Sequence, residues 1–281
     1  MIDGIILIDK KEGLTSRDEI TNVSFKLHEK KVGHIGTLDP FATGLLVGLV
    51  GQGTKLSQFL ECLDKVYVAT LKLGKRTNTQ DLTGEVIEEK EVPELNKKLI
   101  EEVFKTFEGE IEQTPPMFSA IKYKGKPLYN YARKGEEIER KSRRVHIYSL
   151  NLLSFNNDEI MFSAHVSKGT YIRTLGEDIA LRLKTVGHLT SLRRVKVGEY
   201  SVTDAVTSDN VSAENIIPIE KALDFMDKLY VSGEEKKKFL NGMHIEIKNK
   251  SDTLYVYDED GIIAIYERDH KDIYRSVRGF R

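Results

Sequence analysis

The 281-residue chain has no tryptophan, one cysteine and six prolines, and its 43 Lys+Arg nearly cancel 44 Asp+Glu, for a formal net charge of −1. With Cys62 alone, no intramolecular disulfide can form and a cysteine-based zinc site is excluded. A reducing compartment, the cytoplasm, is expected. The seven histidines, His28, His34, His146, His165, His188, His244 and His270, show no metal-ligand spacing, so no catalytic metal is expected. Long apolar runs are missing as well. Ile5-Ile6-Leu7-Ile8 is cut short by Asp9-Lys10-Lys11, too short for a signal-peptide core and far below the ~18 residues of a membrane span. The chain is expected to be neither secreted nor membrane-spanning. The missing basic surplus weighs against a polyanionic partner, because phosphate binding leaves a basic footprint, but a total says nothing about distribution.

What is present is an ordinary globular composition, 40% hydrophobic and 31% charged, with 12 Tyr and 11 Phe to fill a core. The length suits one large domain, or a large one with a small one. Ile5–Ile8 reads as a strand. Ser16 with Glu19 reads as a capping box for a helix carrying Ile20, Val23 and Leu27 on one face. A glycine-rich loop runs from Gly33 to Gly44, and a helix is expected near Lys55–Leu63. Strands are expected at 66–73, 145–155, 160–166 and 192–202, and helices at 95–107 and 171–183. After a boundary near 226–231, a short helix at 234–240 and three strand-like runs, 244–247, 253–257 and 262–266, suggest a small β-rich module that leans on the larger domain. Charge is segregated. Residues 85–112 hold ten Glu against four Lys, and residues 122–144 hold nine Lys/Arg against three Glu, with Tyr123, Tyr129 and Tyr131 interleaved.

Two glycine patterns that suggest nucleotide binding fail. Gly48-Leu49-Val50-Gly51-Gln52-Gly53 is followed by Thr54-Lys55 where a phosphate loop needs Lys and then Ser/Thr, and Gly51 and Gly53 lack the third glycine of a dinucleotide fingerprint. The informative stretch is Gly33-His34-Ile35-Gly36-Thr37-Leu38-Asp39-Pro40-Phe41-Ala42-Thr43-Gly44. Three glycines and a proline within twelve positions constrain a loop tightly enough to hold a carboxylate in a fixed pose, which makes Asp39 a candidate nucleophile or general acid/base. Asp before Pro is equally at home as a turn residue.

The run GHIGTLDPFATGLL at 33–46 resembles the catalytic motif of the TruB family, the bacterial tRNA pseudouridine(55) synthases. LIDKKEGLTS at 7–16, KVYVATLKLG at 65–74, RTNTQDLTGE at 76–85, TPPMFSAIKYKGKPLYNYARKG at 114–135, SKGTYIRTLGEDI at 167–179 and LTSLRRVKVGEY at 189–200 match the family pattern in order. The resemblance covers residues 1 to about 225. It implies that Asp39 is the catalytic aspartate, that His34 wedges and replaces the extruded base, and that Tyr67 stacks on the flipped uracil. It further implies that Arg173 pairs with Asp39, that Tyr171 positions that pair, that Leu189 packs near the base pocket and that Lys10 supports the loop. Lys11 stands where the family usually has proline, Ile35 is larger than usual, and Phe41 replaces a typical Leu.

By resemblance the expected fold is α+β: a large mixed, mostly antiparallel sheet with flanking helices (1–228), plus a small β-rich module similar to a PUA domain (229–281). The expected function is isomerisation of a T-loop uridine of tRNA to pseudouridine by base flipping, without metal, nucleotide or redox cofactor. The partner is tRNA, touched at the T-loop and the acceptor end, and the enzyme acts as a monomer. The alternatives are an RNA-binding or RNA-folding module with secondary catalysis, and a guide-RNA-dependent relative.

Overall fold

In a computed structural model that describes residues 3–281, a ten-stranded sheet organises the first four-fifths of the chain. Its strands are β1 (Gly4–Lys10), β2 (Val32–Ile35), β3 (Thr43–Val50), β4 (Lys65–Leu73), β5 (Gly109–Gln113), β6 (Arg143–Phe155), β7 (Glu159–Val166), β8 (Gly187–Val197), β9 (Tyr200–Ser201) and β10 (Ile217–Pro218). They run in the order β10-β1-β3-β8-β4-β7-β6-β5, with β2 on β3 and β9 on β8. All pairs are antiparallel except β3 with β8, where Arg193 and Arg194 lie beside Thr43 and Gly44. The expected mixed, mostly antiparallel α+β fold is what the chain adopts.

The unbroken apolar run in β1 follows from burial on both faces, since side chains alternate along a strand. Ile6 and Ile8 face one core with α1 (Ser16–Leu27), α2 (Lys97–Lys105) and α3 (Ile172–Arg182). Ile5 and Leu7 face the other, together with Leu45, Val47 and Leu49. That second core is completed by Tyr255, Ile262, Ile265 and Phe280 from the C-terminal sheet, so the small module does lean on the large sheet.

The C-terminal sheet has five strands, in the order 227–230, 253–258, 261–270, 273–279, 245–246, where the sequence pattern points to three. Ile273–Gly279 is hidden in sequence by Arg275, Ser276 and Arg278, yet Tyr274 fills the core; Asp227–Tyr230 joins as a parallel edge strand.

One local expectation is corrected. The N-cap of α1 is Thr15, whose hydroxyl accepts from Asp18 N at 3.1 Å while the Asp18 carboxylate accepts from Thr15 N at 2.8 Å. The capping box is therefore Thr15/Asp18, one residue earlier than Ser16/Glu19. Ser16 and Glu19 are both buried and bond elsewhere.

Candidate active site

Asp39 sits in the short turn between β2 and β3, closed by a hydrogen bond from Ala42 N to Asp39 O at 3.1 Å. The loop starts later than the glycines suggest, because Val32–Ile35 is already strand. Its two ends pass close to Arg194. Gly36, at φ +61°, leaves no room for a side chain: a Cβ there would lie 2.9 Å from Arg194 Nη1, and one at Gly44, at φ +96°, 2.3 Å from the Arg194 carbonyl. The Lys10 ammonium, buried, donates to the carbonyls of Ala42 (2.6 Å), Lys11 (2.9 Å) and Pro40 (3.1 Å), so that two of its three hydrogens hold the chain just past Asp39. Burial lowers its pKa, opposed by the fields of Glu19 and Asp39.

Arg173, in the first turn of α3, faces the Asp39 carboxylate with two nitrogens, of which Nη2 makes a hydrogen bond and Nε an ion-pair contact outside hydrogen-bonding geometry. Nε is 2.9 Å from Oδ2 and Nη2 donates to Oδ1 at 3.1 Å. The guanidinium is itself fixed, donating through Nη1 to Thr79 O and through Nη2 to Phe118 O, each at 2.7 Å. Nη1 also faces Asp81 Oδ2 at 3.6 Å, and the buried Asp81 is held by Thr79 and by Thr83. The Asp39 side chain is 35% exposed against 3% for Arg173. Burial nonetheless raises the Asp39 pKa; Arg173 opposes this and Asp81 adds to it. The guanidinium thus moderates the desolvation of Asp39 without cancelling it.

Tyr171 is clamped two residues before Arg173. Its N–H donates to Gln113 Oε1 at 2.7 Å, its carbonyl accepts from Gln113 Nε2 at 3.0 Å, and the Arg143 guanidinium lies 4.9 Å from its ring centroid. His34 is half-buried at the end of β2, with Nε2 3.3 Å from Thr37 Oγ1; burial, then the charge of Arg194, lowers its pKa. Tyr67 is half-buried on β4, between Ala164 and Arg194 on the flanking strands. Leu189 has no exposed surface. Its N–H donates to Gln80 O at 3.0 Å and its side chain packs against Gly176 of α3, so it stands behind the 79–81 loop and the Arg173 helix.

The departures from the family pattern are absorbed. Ile35 and Phe41 are buried in the two cores, and Lys11 reaches out to Asp209 at 2.5 Å. Asp81, Gln113 and Arg194 carry no role that the sequence alone assigns, and Ser16 is assigned only the helix cap that Thr15 in fact supplies. Asp81 and Gln113 are legible only as members of matched or flanking stretches, because their partners are 92 and 58 residues away in the chain.

The basic stretch 122–144 begins as a small hairpin, Lys122–Tyr123 with Lys126–Pro127, followed by a short helix, Leu128–Ala132. Tyr123 and Tyr129 are exposed, with Lys124 5.3 Å and Arg133 5.4 Å from their ring centroids. The segment leaves the body next to Phe118, whose carbonyl Arg173 holds, so it emerges beside the Asp39 pair. Two cavities, of about 330 and 500 Å³, lie away from it: one lined by Phe59, Cys62 and Phe225, the other by Phe107, Asp178 and Arg182. Among the described residues, the one acidic cluster with metal-like spacing, Asp258, Glu259 and Asp260, is occupied by Lys236 and Arg281.

Comparison with known proteins places these features. Residues 25–172 match the family described as TruB family pseudouridylate synthase (N terminal domain), and residues 173–229 match the tRNA pseudouridylate synthase B C-terminal domain. The tRNA pseudouridine synthase B of Hydrogenovibrio crunogenus is 43% identical over 258 residues, covering 91% of this chain and 85% of that one. The protein of the same name from Aquifex aeolicus is 42% identical over 273 residues, covering 95% and 92%. Among solved structures, a Cbf5-Nop10-Gar1 complex aligns with a TM-score of 0.73 at 23% identity, over 100% of this chain and 84% of that chain, a likeness of fold. The loop that holds Asp39 therefore lies in a chain that belongs to the TruB family of pseudouridylate synthases.

Proposed function

We propose that this chain is a stand-alone tRNA pseudouridine(55) synthase, with Asp39 as the reacting carboxylate. The observation that carries the reading is the Asp39–Arg173 pair: a carboxylate hydrogen-bonded through one oxygen and ion-paired at the other, yet one-third open to solvent, in a loop pinned from beneath by Lys10. The relatives of about 40% identity that share most of this chain are named tRNA pseudouridine synthase B, which supports tRNA as the substrate.

The reaction breaks the uridine N1–C1′ bond, turns the uracil and joins C5 to C1′, with the C5 proton leaving and the freed N1 taking one up; no electrons are gained or lost. Asp39 serves as nucleophile, at C1′ of the ribose or at C6 of the uracil, and must be ionised to do so. Arg173 keeps it oriented and favours its charged form against desolvation. Flipping the base costs a few kcal/mol of unstacking, and stacking on Tyr67 returns ~1–3 kcal/mol of that. Tyr67 is also a candidate acceptor of the C5 proton. His34, kept neutral by burial and Arg194, is suited to fill the gap in the stack without bringing a charge into it. Tyr171 orients the first turn of α3, and Leu189 backs the pocket.

The domains of this reading are a catalytic body, expected at 1–228, and a PUA-like module, expected at 229–281 although its edge strand already begins at Asp227, that touches the acceptor end, with the 122–144 segment gripping the T-loop. Recognition is of folded shape and splayed bases, the usual mode for RNA. Tritium release from tRNA carrying 5-³H-uridine tests the whole: the wild type releases tritium without added RNA or protein, and Asp39→Asn does not. Release at the normal rate from Asp39→Asn would refute the reading, and a requirement for a guide RNA would refute the stand-alone part of it.

A further inference from the structure

We propose that Ser16 is a positioning residue for Asp39, committed to the loop rather than to capping the helix it begins; this rests on Asp39 being the reacting carboxylate. Ser16 opens α1, but the N-cap is Thr15, so the Ser16 hydroxyl is free for another task. It points into the protein, with Ser16 itself 1% exposed, and meets the residue immediately before Asp39 twice. Leu38 N donates to Ser16 Oγ at 2.9 Å, and Oγ donates to Leu38 O at 3.2 Å. Among the described residues the Leu38 backbone makes no other hydrogen bond. A hydroxyl both donates and accepts, so a single side chain satisfies both backbone polar groups of this buried residue.

Glu19, one turn along, extends the hold. Its Oε1 accepts from Lys11 N at 2.8 Å, bracing the end of β1 from which Lys10 grips Pro40 O and Ala42 O. Asp39 is thereby held on its N-terminal side by Ser16 and on its C-terminal side by Lys10. The two-point contact with Arg173 then meets a carboxylate that has little freedom to drift. A shift of about 1 Å in a reacting group costs on the order of 100-fold in rate.

The test compares two adjacent variants of the full chain. Ser16→Ala removes the Leu38 hold and leaves the cap; Thr15→Ala removes the cap and leaves the hold. Expected for Ser16→Ala is a kcat about 10- to 100-fold lower, with tRNA affinity and cooperative melting retained and the kcat–pH midpoint moved upward as the Arg173 contact loosens. Thr15→Ala is expected to melt a few degrees lower with kcat unchanged. A Ser16→Ala enzyme with normal kcat and an unshifted pH profile would overturn the proposal. So would one that no longer melts cooperatively or binds tRNA, because the residue would then belong to the fold. If Asp39→Asn is inactive while Ser16→Ala is normal, this inference fails and the assignment of Asp39 stands; if Asp39→Asn is active, the assignment itself fails.

Discussion

Arg173 meets Asp39 with two nitrogens: Nη2 donates to one carboxylate oxygen at 3.1 Å and Nε lies 2.9 Å from the other as an ion pair, while Nη1 and Nη2 also hold the carbonyls of Thr79 and Phe118. A planar, five-donor group is needed for that set of partners, and lysine cannot reproduce it. Arg173→Lys and Arg173→Ala are therefore both expected to lower kcat by about 100-fold or more while tRNA affinity changes little. Single-turnover kinetics with a filter-binding Kd separates the two quantities; an equal loss in both would make Arg173 an RNA-contact residue.

Burial raises the Asp39 pKa, so the ionised fraction of its carboxyl rises with pH through a midpoint above the ordinary value of about 4. The single-turnover rate should climb with pH through that midpoint. In Arg173→Ala the lowering influence is gone, and the midpoint of the residual activity should move further up.

The Lys10 ammonium holds three carbonyls with its three hydrogens. Lys10→Met keeps the stem and removes the donors, leaving buried acceptors unpaired at roughly 1–3 kcal/mol each before relaxation. A lower denaturation midpoint and a kcat reduced by more than about tenfold are expected, with tRNA binding retained. Wild-type turnover in this variant would show that the turn after Asp39 holds itself.

Asp178, beside Glu177 on α3, has its pKa pushed up to about 6, by burial first and by the Glu177 charge second. A carboxyl whose folded-state value is raised favours the folded state while it is protonated, and that contribution is lost as pH rises from about 4 towards 6. Asp178→Asn should therefore be more stable than the wild type at pH 7.5, by up to about 3 kcal/mol before solvent screening, with the gap closing below about pH 4. Thermal melts across that range check the sign.

A net charge of −1 conceals a basic, aromatic-bearing segment beside the Asp39 pair, so tRNA binding should weaken steeply with salt. Replacing Lys122, Lys124 and Lys126 together by Gln should reduce the slope of log K against log salt by about 0.7–0.9 for each phosphate that is no longer neutralised. An unchanged slope would take this hairpin away from the phosphates.

Much of this protein can be read from local pattern. The strands at β4, β6 and β7 and the amphipathic α2 show their periodicity because each buries one defined face, whereas the helix after Tyr171 is buried nearly all round. The strand Ile273–Gly279 does not, since its polar residues mask the one ring that anchors it, and the cap of α1 is ambiguous by one residue because Thr15/Asp18 and Ser16/Glu19 fit the same rule. The chemistry-bearing loop at 33–44 can be found from its glycines and its Asp39, and the family motifs supply Arg173 as its partner.

By itself, then, the sequence determined the constrained loop through its local composition, and through its resemblance to the TruB family it implied the fold class and the pairing of one carboxylate with one guanidinium. The tertiary structure alone decided that Asp81 shares Arg173, that Gln113 clamps Tyr171, that Leu189 packs on Gly176 of α3 and that Ser16 serves Leu38. Each of these joins residues more than 10 positions apart through hydrogen bonds or packing. Such contacts exist only once the sheet has ordered its strands, and no local propensity encodes them.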